Sequence, residues 1–226
     1  MSTLAYPYCV LPGGHAPPVG LRGVDGAPVR VLSARGLSIW ASPVRRPPSP
    51  SIDRVRAHHA VVDVAASDGV TPLPLRFGQC SPPRALRRRL AEDSQDWRTR
   101  LVKLAGTVEF GLLLAGAAAE SEPEPDSAAG SGREYLTRLA RRRRQAKELD
   151  AVAREAVDAL RRHVGSLPLR EAVSPLPGRA GAARVAHLVA RNRADEYRSC
   201  VEEYLTDRPE HPFLLAGPLP PWTFGT

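Results

Sequence analysis

The chain has 226 residues, 42% of them hydrophobic but only 5% aromatic. That length allows one large domain or two small ones, with cores filled mostly by aliphatic side chains and alanine. The net charge of +8 comes from 32 Lys plus Arg against 24 Asp plus Glu, and Lys103 and Lys147 are the only lysines. Together with the many Ala, Gly and Pro residues this has the mark of a GC-rich coding bias, so the charge argues only weakly for an anionic partner. Cys9, Cys80 and Cys200 are too widely spaced for a disulfide framework or a zinc site. The longest apolar run, 110–119, falls short of the ~20 residues that span a bilayer. The opening MSTLAYPY lacks the basic and apolar regions of a signal peptide, so a cytoplasmic protein is expected.

Residues 4–11 are a short apolar run closed by Pro12-Gly13-Gly14 and read as a first strand. Residues 17–28 are loop-like. Residues 29–33 and 37–42 flank Arg35-Gly36 as a hairpin. After the proline-rich break at 45–50, Ser51 has the chemistry of an N-cap, with Asp53 in the first turn that follows. Ile52, Val55, His59, Val62 and Ala66 share a face at helical spacing, and Asp68-Gly69 ends the helix. Residues 70–77 are the next strand, assigned to an edge by Pro72 and Pro74. Residues 1–80 thus read as an N-terminal α+β domain, ordered β-β-β-α-β.

Pro82-Pro83 opens a second helical stretch, with Leu86, Leu90, Trp97, Leu101 and Leu104 on one face and an interruption at Asp93-Ser94. Gly106 stops it, and 107–115 is a strand. Residues 117–132 are Ala, Ser, Glu, Pro and Gly without apolar period, expected to be a disordered acidic loop. Residues 133–166 form a long helix whose apolar face is Leu149, Ala153, Ala156, Leu160 and Val164. Two strands follow, 167–174 and 183–190, joined through Pro177-Gly178. A helix over 195–206 has Tyr197, Cys200, Val201, Tyr204 and Leu205 on its apolar face, and 212–217 is the last strand. From 107 to 217 the order is β-α-β-β-α-β, that of a ferredoxin-like domain. The expected fold class is therefore α+β in two domains. The second, 81–217, is a modified ferredoxin-like domain with a long first helix. The tail, 218–226, is barred from the strand by Pro218, Pro220 and Pro221 and is expected to pack back on the protein through Trp222 and Phe224.

The candidate chemical motifs read blandly. His58-His59 cannot easily share a metal ion, because adjacent helical residues point about 100° apart; His59 is expected on the buried face and His58 in a capping or solvated position. Arg76-Phe77-Gly78 lacks the glycines and lysine of a phosphate loop and reads as a strand end. Arg87-Arg88-Arg89 and Arg141-Arg142-Arg143-Arg144 lack interleaved aromatics and read as solvated helix faces, the second run being also a possible partner for the acidic loop before it. There is no GxSxG elbow, Cys80 and Cys200 have no organised base nearby in sequence, and Cys200 is assigned to the core. No enzyme and no cofactor or metal site is expected.

Five segments, taken in order, resemble the gas vesicle protein F/L family. They are Leu4-Ala5-Tyr6-Pro7-Tyr8-Cys9-Val10; His58-His59-Ala60-Val61-Val62 with Leu73-Pro74-Leu75-Arg76-Phe77-Gly78 after it; Leu104-Ala105-Gly106-Thr107-Val108-Glu109-Phe110-Gly111; Arg133-Glu134-Tyr135-Leu136; and Leu214-Leu215-Ala216-Gly217-Pro218-Leu219-Pro220-Pro221-Trp222-Thr223-Phe224. The chain departs from the pattern where Leu112 or Leu113 replaces a frequent basic residue, where Leu219 replaces a common Trp, and where Trp222 replaces a common Tyr. The resemblance implies two α+β domains, the second modified ferredoxin-like, and a role in building gas vesicles. It implies an accessory or minor structural protein that binds the small hydrophobic shell protein and other accessory proteins, and no enzymatic activity. Arg76, Phe77, Pro218, Pro220, Pro221, Trp222 and Phe224 are the candidate interaction residues. The alternative is a basic nucleic-acid-binding module; no membrane or small-molecule partner is expected.

Overall fold

A computed structural model of the chain describes residues 3–67, 69–115, 132–176 and 181–225, with side chains of the long helix described at Arg144 and from Lys147 onward. The expected acidic loop before Gly132, the side chains of Arg141, Arg142 and Arg143, and the turn at Pro177-Gly178 lie outside these described parts. Two units emerge: Met1–Glu109 with Pro218–Thr226, and Phe110–Gly217.

In the first unit, β1 (Leu4–Pro12), β2 (Arg30–Ala34), β3 (Leu37–Val44) and β4 (Leu73–Pro74) form a sheet of order β2-β3-β1-β4. The β2–β3 hairpin turns through Arg35 and Gly36, at φ 52° and 71°, the two positive values that a two-residue primed turn requires. The short β4 lies at the edge, where its proline costs no ladder bond. Helix α1 (Ile52–Ala66) begins as the sequence dictates, with Ser51 Oγ accepting from the Arg54 N–H at 3.3 Å. β1 is buried along nearly its whole length. Since successive side chains leave a strand on opposite faces, β1 needs cover on both. α1 packs on it, and so do α2 (Pro83–Glu92) and α3 (Ser94–Leu104); α2 also lies along β2. A division at residue 80 would assign α2 and α3 to the C-terminal domain, whereas they pack with the N-terminal sheet.

The sequence misphases α1. Its buried residues are His58, Val61, Val62 and Ala65, while Ile52 is 64% exposed and His59 is exposed. The stripe is turned about one residue from the expected one, and the two histidines exchange roles. Ile52 sits in the first turn, clear of the sheet, and gives a false origin to the pattern.

The second unit runs β5 (Thr107–Leu114), α4 (Gly132–Val164), β6 (Pro168–Pro175), β7 (Ala183–Ala190), α5 (Ala194–Asp207) and β8 (Phe213–Leu219), with sheet order β6-β7-β5-β8. The first and third strands of the βαββαβ unit lie at the centre, which is the ferredoxin-like order. The α4 face is buried at Ala153, Ala156, Val157, Leu160 and Val164, and that of α5 at Tyr197, Val201 and Tyr204. Cys200, expected in the core, is half-buried. The last strand continues through Pro218 to Leu219, past the expected stop. β8 is an edge strand, the position in a sheet where a proline is tolerated. The chain leaves the first unit within β5, after Glu109, and returns to it within β8, after Gly217.

Candidate functional site

In the first unit the strand β1 presents Tyr6 and Tyr8 to α1, and between them and the tail sits His58 with no exposed surface. Tyr6 Oη lies 2.7 Å from His58 Nδ1, and His58 Nε2 lies 3.0 Å from the Leu75 carbonyl. A carbonyl only accepts, so Nε2 carries the proton and Nδ1 accepts from the tyrosine hydroxyl. Both ring nitrogens are thereby used, which leaves this histidine no lone pair for a metal or a substrate proton. Burial pushes its pKa down to about 4, against the opposing pull of the Leu75 carbonyl, and burial raises Tyr6 and Tyr8. Tyr8 Oη donates to Ser42 Oγ at 2.9 Å and accepts from the Val24 N–H at 2.9 Å.

The tail closes this cluster. Trp222 stacks on His59 with ring centroids 4.2 Å apart and an interplanar angle of 21°, and lies 5.5 Å from the His58 ring. Phe77 packs edge-on to Tyr6 and His58. Thr223 donates twice to the fully buried Glu109 carboxylate, through its N–H and its hydroxyl, each at 2.7 Å. The Trp222 and Gly225 N–H groups bond back to Pro220 and Pro221, winding the tail into turns. Of the candidate interaction residues, Arg76 and Pro218 are exposed, Phe77, Trp222 and Phe224 are half-buried, and Pro220 and Pro221 are buried. Phe77 and Trp222 are brought together around the histidines.

Two residues essential to this seat, Glu109 and Thr223, were not candidates. The signal for Glu109 was a carboxylate inside an otherwise apolar strand, which demands a partner when buried. The partner is 114 positions away in sequence, beyond the reach of any local pattern.

The second unit has a parallel device. His187 on β7, 1% exposed, lies 2.6 Å from Tyr197 Oη through Nδ1 and 3.0 Å from Glu171 Oε2 through Nε2. Glu171 Oε1 accepts from Arg161 Nη2 at 2.6 Å and Nε at 3.0 Å, and Arg161 also pairs with Asp158. The carboxylate fixes the proton on Nε2, and the tyrosine hydroxyl donates to Nδ1. Burial holds His187 below its usual pKa although Glu171 opposes the shift. Burial works against the charge of Glu171, yet the bonds from Arg161 and His187 keep its carboxyl below the ordinary range. The network ties together α4, β6, β7 and α5. Among the described residues no group of three or more His, Cys, Asp or Glu is placed to hold a metal ion, and no helix is long and apolar enough to cross a membrane.

Residues 4–226 match the family model described as gas vesicle synthesis protein GvpL/GvpF. Gas vesicle protein L of Streptomyces sp. (strain CB03234) is 33% identical over an alignment 254 residues long, covering 99% of this chain and 94% of that one. Gas vesicle protein F of the same strain is 29% identical over 214, covering 87% of each. The crystal structure of GvpF from Anabaena sp. PCC7120 has a TM-score of 0.78 at 20% identity, covering 100% of this chain and 97% of that one. GvpF from Microcystis aeruginosa gives 0.73 at 18%, with both chains fully covered. The last two likenesses bear on the fold.

Proposed function

The chain belongs to the GvpL/GvpF family of gas vesicle synthesis proteins, and from that premise we propose that it is an accessory or minor structural protein of vesicle assembly that binds the small hydrophobic shell protein and other accessory proteins in the cytoplasm. The observation that carries this reading is the match over residues 4–226, from the first strand to the docked tail. The physical need is clear: a subunit with one face turned to gas carries a large apolar patch, and such a patch aggregates unless covered. The buried His58 and His187 have both ring nitrogens committed to structural bonds, which favours an interaction protein over an acid–base catalyst. Of the candidate residues, Arg76 and Pro218 are proposed as direct contacts. Pro220, Pro221, Trp222 and Phe224, with Phe77, are assigned to holding the tail in place. The test is co-purification of the tagged chain with the shell protein, alongside vesicle counts in cells lacking this chain. Shell-protein recovery at the level of an empty-tag control, with vesicles of normal number, refutes the proposal.

A further inference from the structure

A sheet edge is a row of hydrogen-bonding groups that must be covered or left open, and the two sheets have four edges between them. β2 runs along α2, and β4 is only two residues long. On β8 the Phe213 N–H already donates to the His211 carbonyl, and the Gly217 carbonyl accepts from Arg198. β6 differs. The Leu176 N–H donates to the Ala182 carbonyl, which fixes the phase of the β6–β7 ladder. In that antiparallel register Ser174 faces Arg184, Ala172 faces Ala186 and Arg170 faces Leu188. These residues share the phase of Leu176 and turn their N–H and C=O groups toward β7. Glu171 and Val173 therefore turn their N–H and C=O groups away from β7, to an edge that no described strand covers. So does Pro175, which has no N–H to offer and loses nothing there.

The side chains on this edge define what fits it. Val173 shares a face with Glu171 and is 46% exposed, and Leu169, in the bulge between Pro168 and Arg170, is 59% exposed. Between them stands Glu171, but its two oxygens are taken by Arg161 and His187. The row therefore offers backbone groups flanked by two aliphatic side chains and a carboxylate whose charge is already answered.

We propose that β6 is a docking edge that takes an extended segment of a partner as a fifth strand, with aliphatic side chains of that segment seated beside Leu169 and Val173. Such strand addition takes its affinity from main-chain bonds and its selectivity from alternate side chains. A charged segment is disfavoured, because no counter-charge on the row is free to meet it. This rests on the reading above, which makes the occupant a strand of the shell subunit. The Arg161–Glu171–His187–Tyr197 network then has a use beyond stability: it clamps the edge strand to α4, β7 and α5, so that its outward groups are preorganised.

The test places the photo-crosslinking residue benzoylphenylalanine at Leu169 or Val173, and at Val31 or Leu214 as exposed controls, in the full chain co-expressed with the shell protein. Crosslinks to the shell protein are expected from 169 and 173 at least tenfold above the controls. Val173→Pro removes an outward N–H without touching the β7 ladder and should cut shell-protein capture about tenfold at nearly unchanged melting temperature. Ser174→Pro, which removes an inward N–H, should instead destabilise the unit. If Val173→Pro also unfolds, Leu169→Lys and Val173→Lys give the same test through the side chains. Shell-protein crosslinks from Val31 or Leu214 but not from β6, or undiminished capture by folded β6 variants, overturn the docking edge and leave the proposed function standing. Absence of the shell protein from every crosslink and from the wild-type purification overturns both.

Discussion

The Glu109–Thr223 contact makes a prediction that the geometry quantifies. Thr223→Val keeps the side-chain shape and the backbone bond to Glu109, and deletes only the hydroxyl that donates to Oε1 at 2.7 Å. A hydrogen bond to a charged group is worth about 1.5–3 kcal/mol, and the fully buried carboxylate has no water to replace it. A loss of about 2 kcal/mol raises the undocked fraction of the tail roughly thirtyfold. The tail is a short segment, so the effect is expected as local opening before global unfolding. Hydrogen exchange reads that opening directly. The Gly225 amide, bonded to the Pro221 carbonyl in the docked tail, should exchange roughly thirty times faster in Thr223→Val and near the wild-type rate in Thr223→Ser. Equal exchange in the two variants, within about twofold, would show that the hydroxyl contributes nothing and that stacking of Trp222 alone seats the tail.

Two further outcomes are expected. His58 titrates near 4 in the folded chain against about 6.5 unfolded. The unfolded state thus binds the extra proton between those values, and stability is full above pH 6.5 and falls by up to roughly 3 kcal/mol as pH drops toward 4. Urea midpoints of the first unit at pH 7 and 4.5 should differ less in His58→Gln than in the wild type, and an unchanged difference sinks the assignment. Gly23→Ala should destabilise the first unit by about 3 kcal/mol, the upper end of the usual cost of overpacking. A Cβ there would lie 1.9 Å from Tyr8 Oη, whose ring is fully buried and pinned by Ser42 and Val24. A melting temperature within a few degrees of wild type would mean that the loop moves freely.

Much of the architecture was legible because local chemistry and global packing agree. The hairpin at Arg35-Gly36, the Ser51 cap, the break at Asp93-Ser94 and the βαββαβ order all follow from turn residues, caps and apolar period. What escaped was what periodicity does not encode. Periodicity could not choose between the two adjacent histidines, and His58 is the core one because Tyr6 and Leu75 satisfy both its nitrogens. Pro218 reads as a strand stop unless the strand is known to be an edge. The candidate site was half visible. Trp222 stood out with Phe224 as a large apolar group in a proline-rich tail and Phe77 through the resemblance, but Glu109, Thr223 and the His187–Glu171 pairing depend on contacts between distant elements that only the tertiary fold supplies.

The return of residues Pro218–Thr226 to the first unit carries a consequence for biosynthesis. A ribosome makes Met1–Glu109 first, but the Thr223 bonds to the Glu109 carboxylate and the stacking of Trp222 on His59 must wait until all of Phe110–Gly217 has been translated. The first unit emerges first and is completed last. An N-terminal fragment ending at Glu109 would therefore behave as an unfinished intermediate rather than as a domain, and supplying 218–226 as a separate peptide should rescue it.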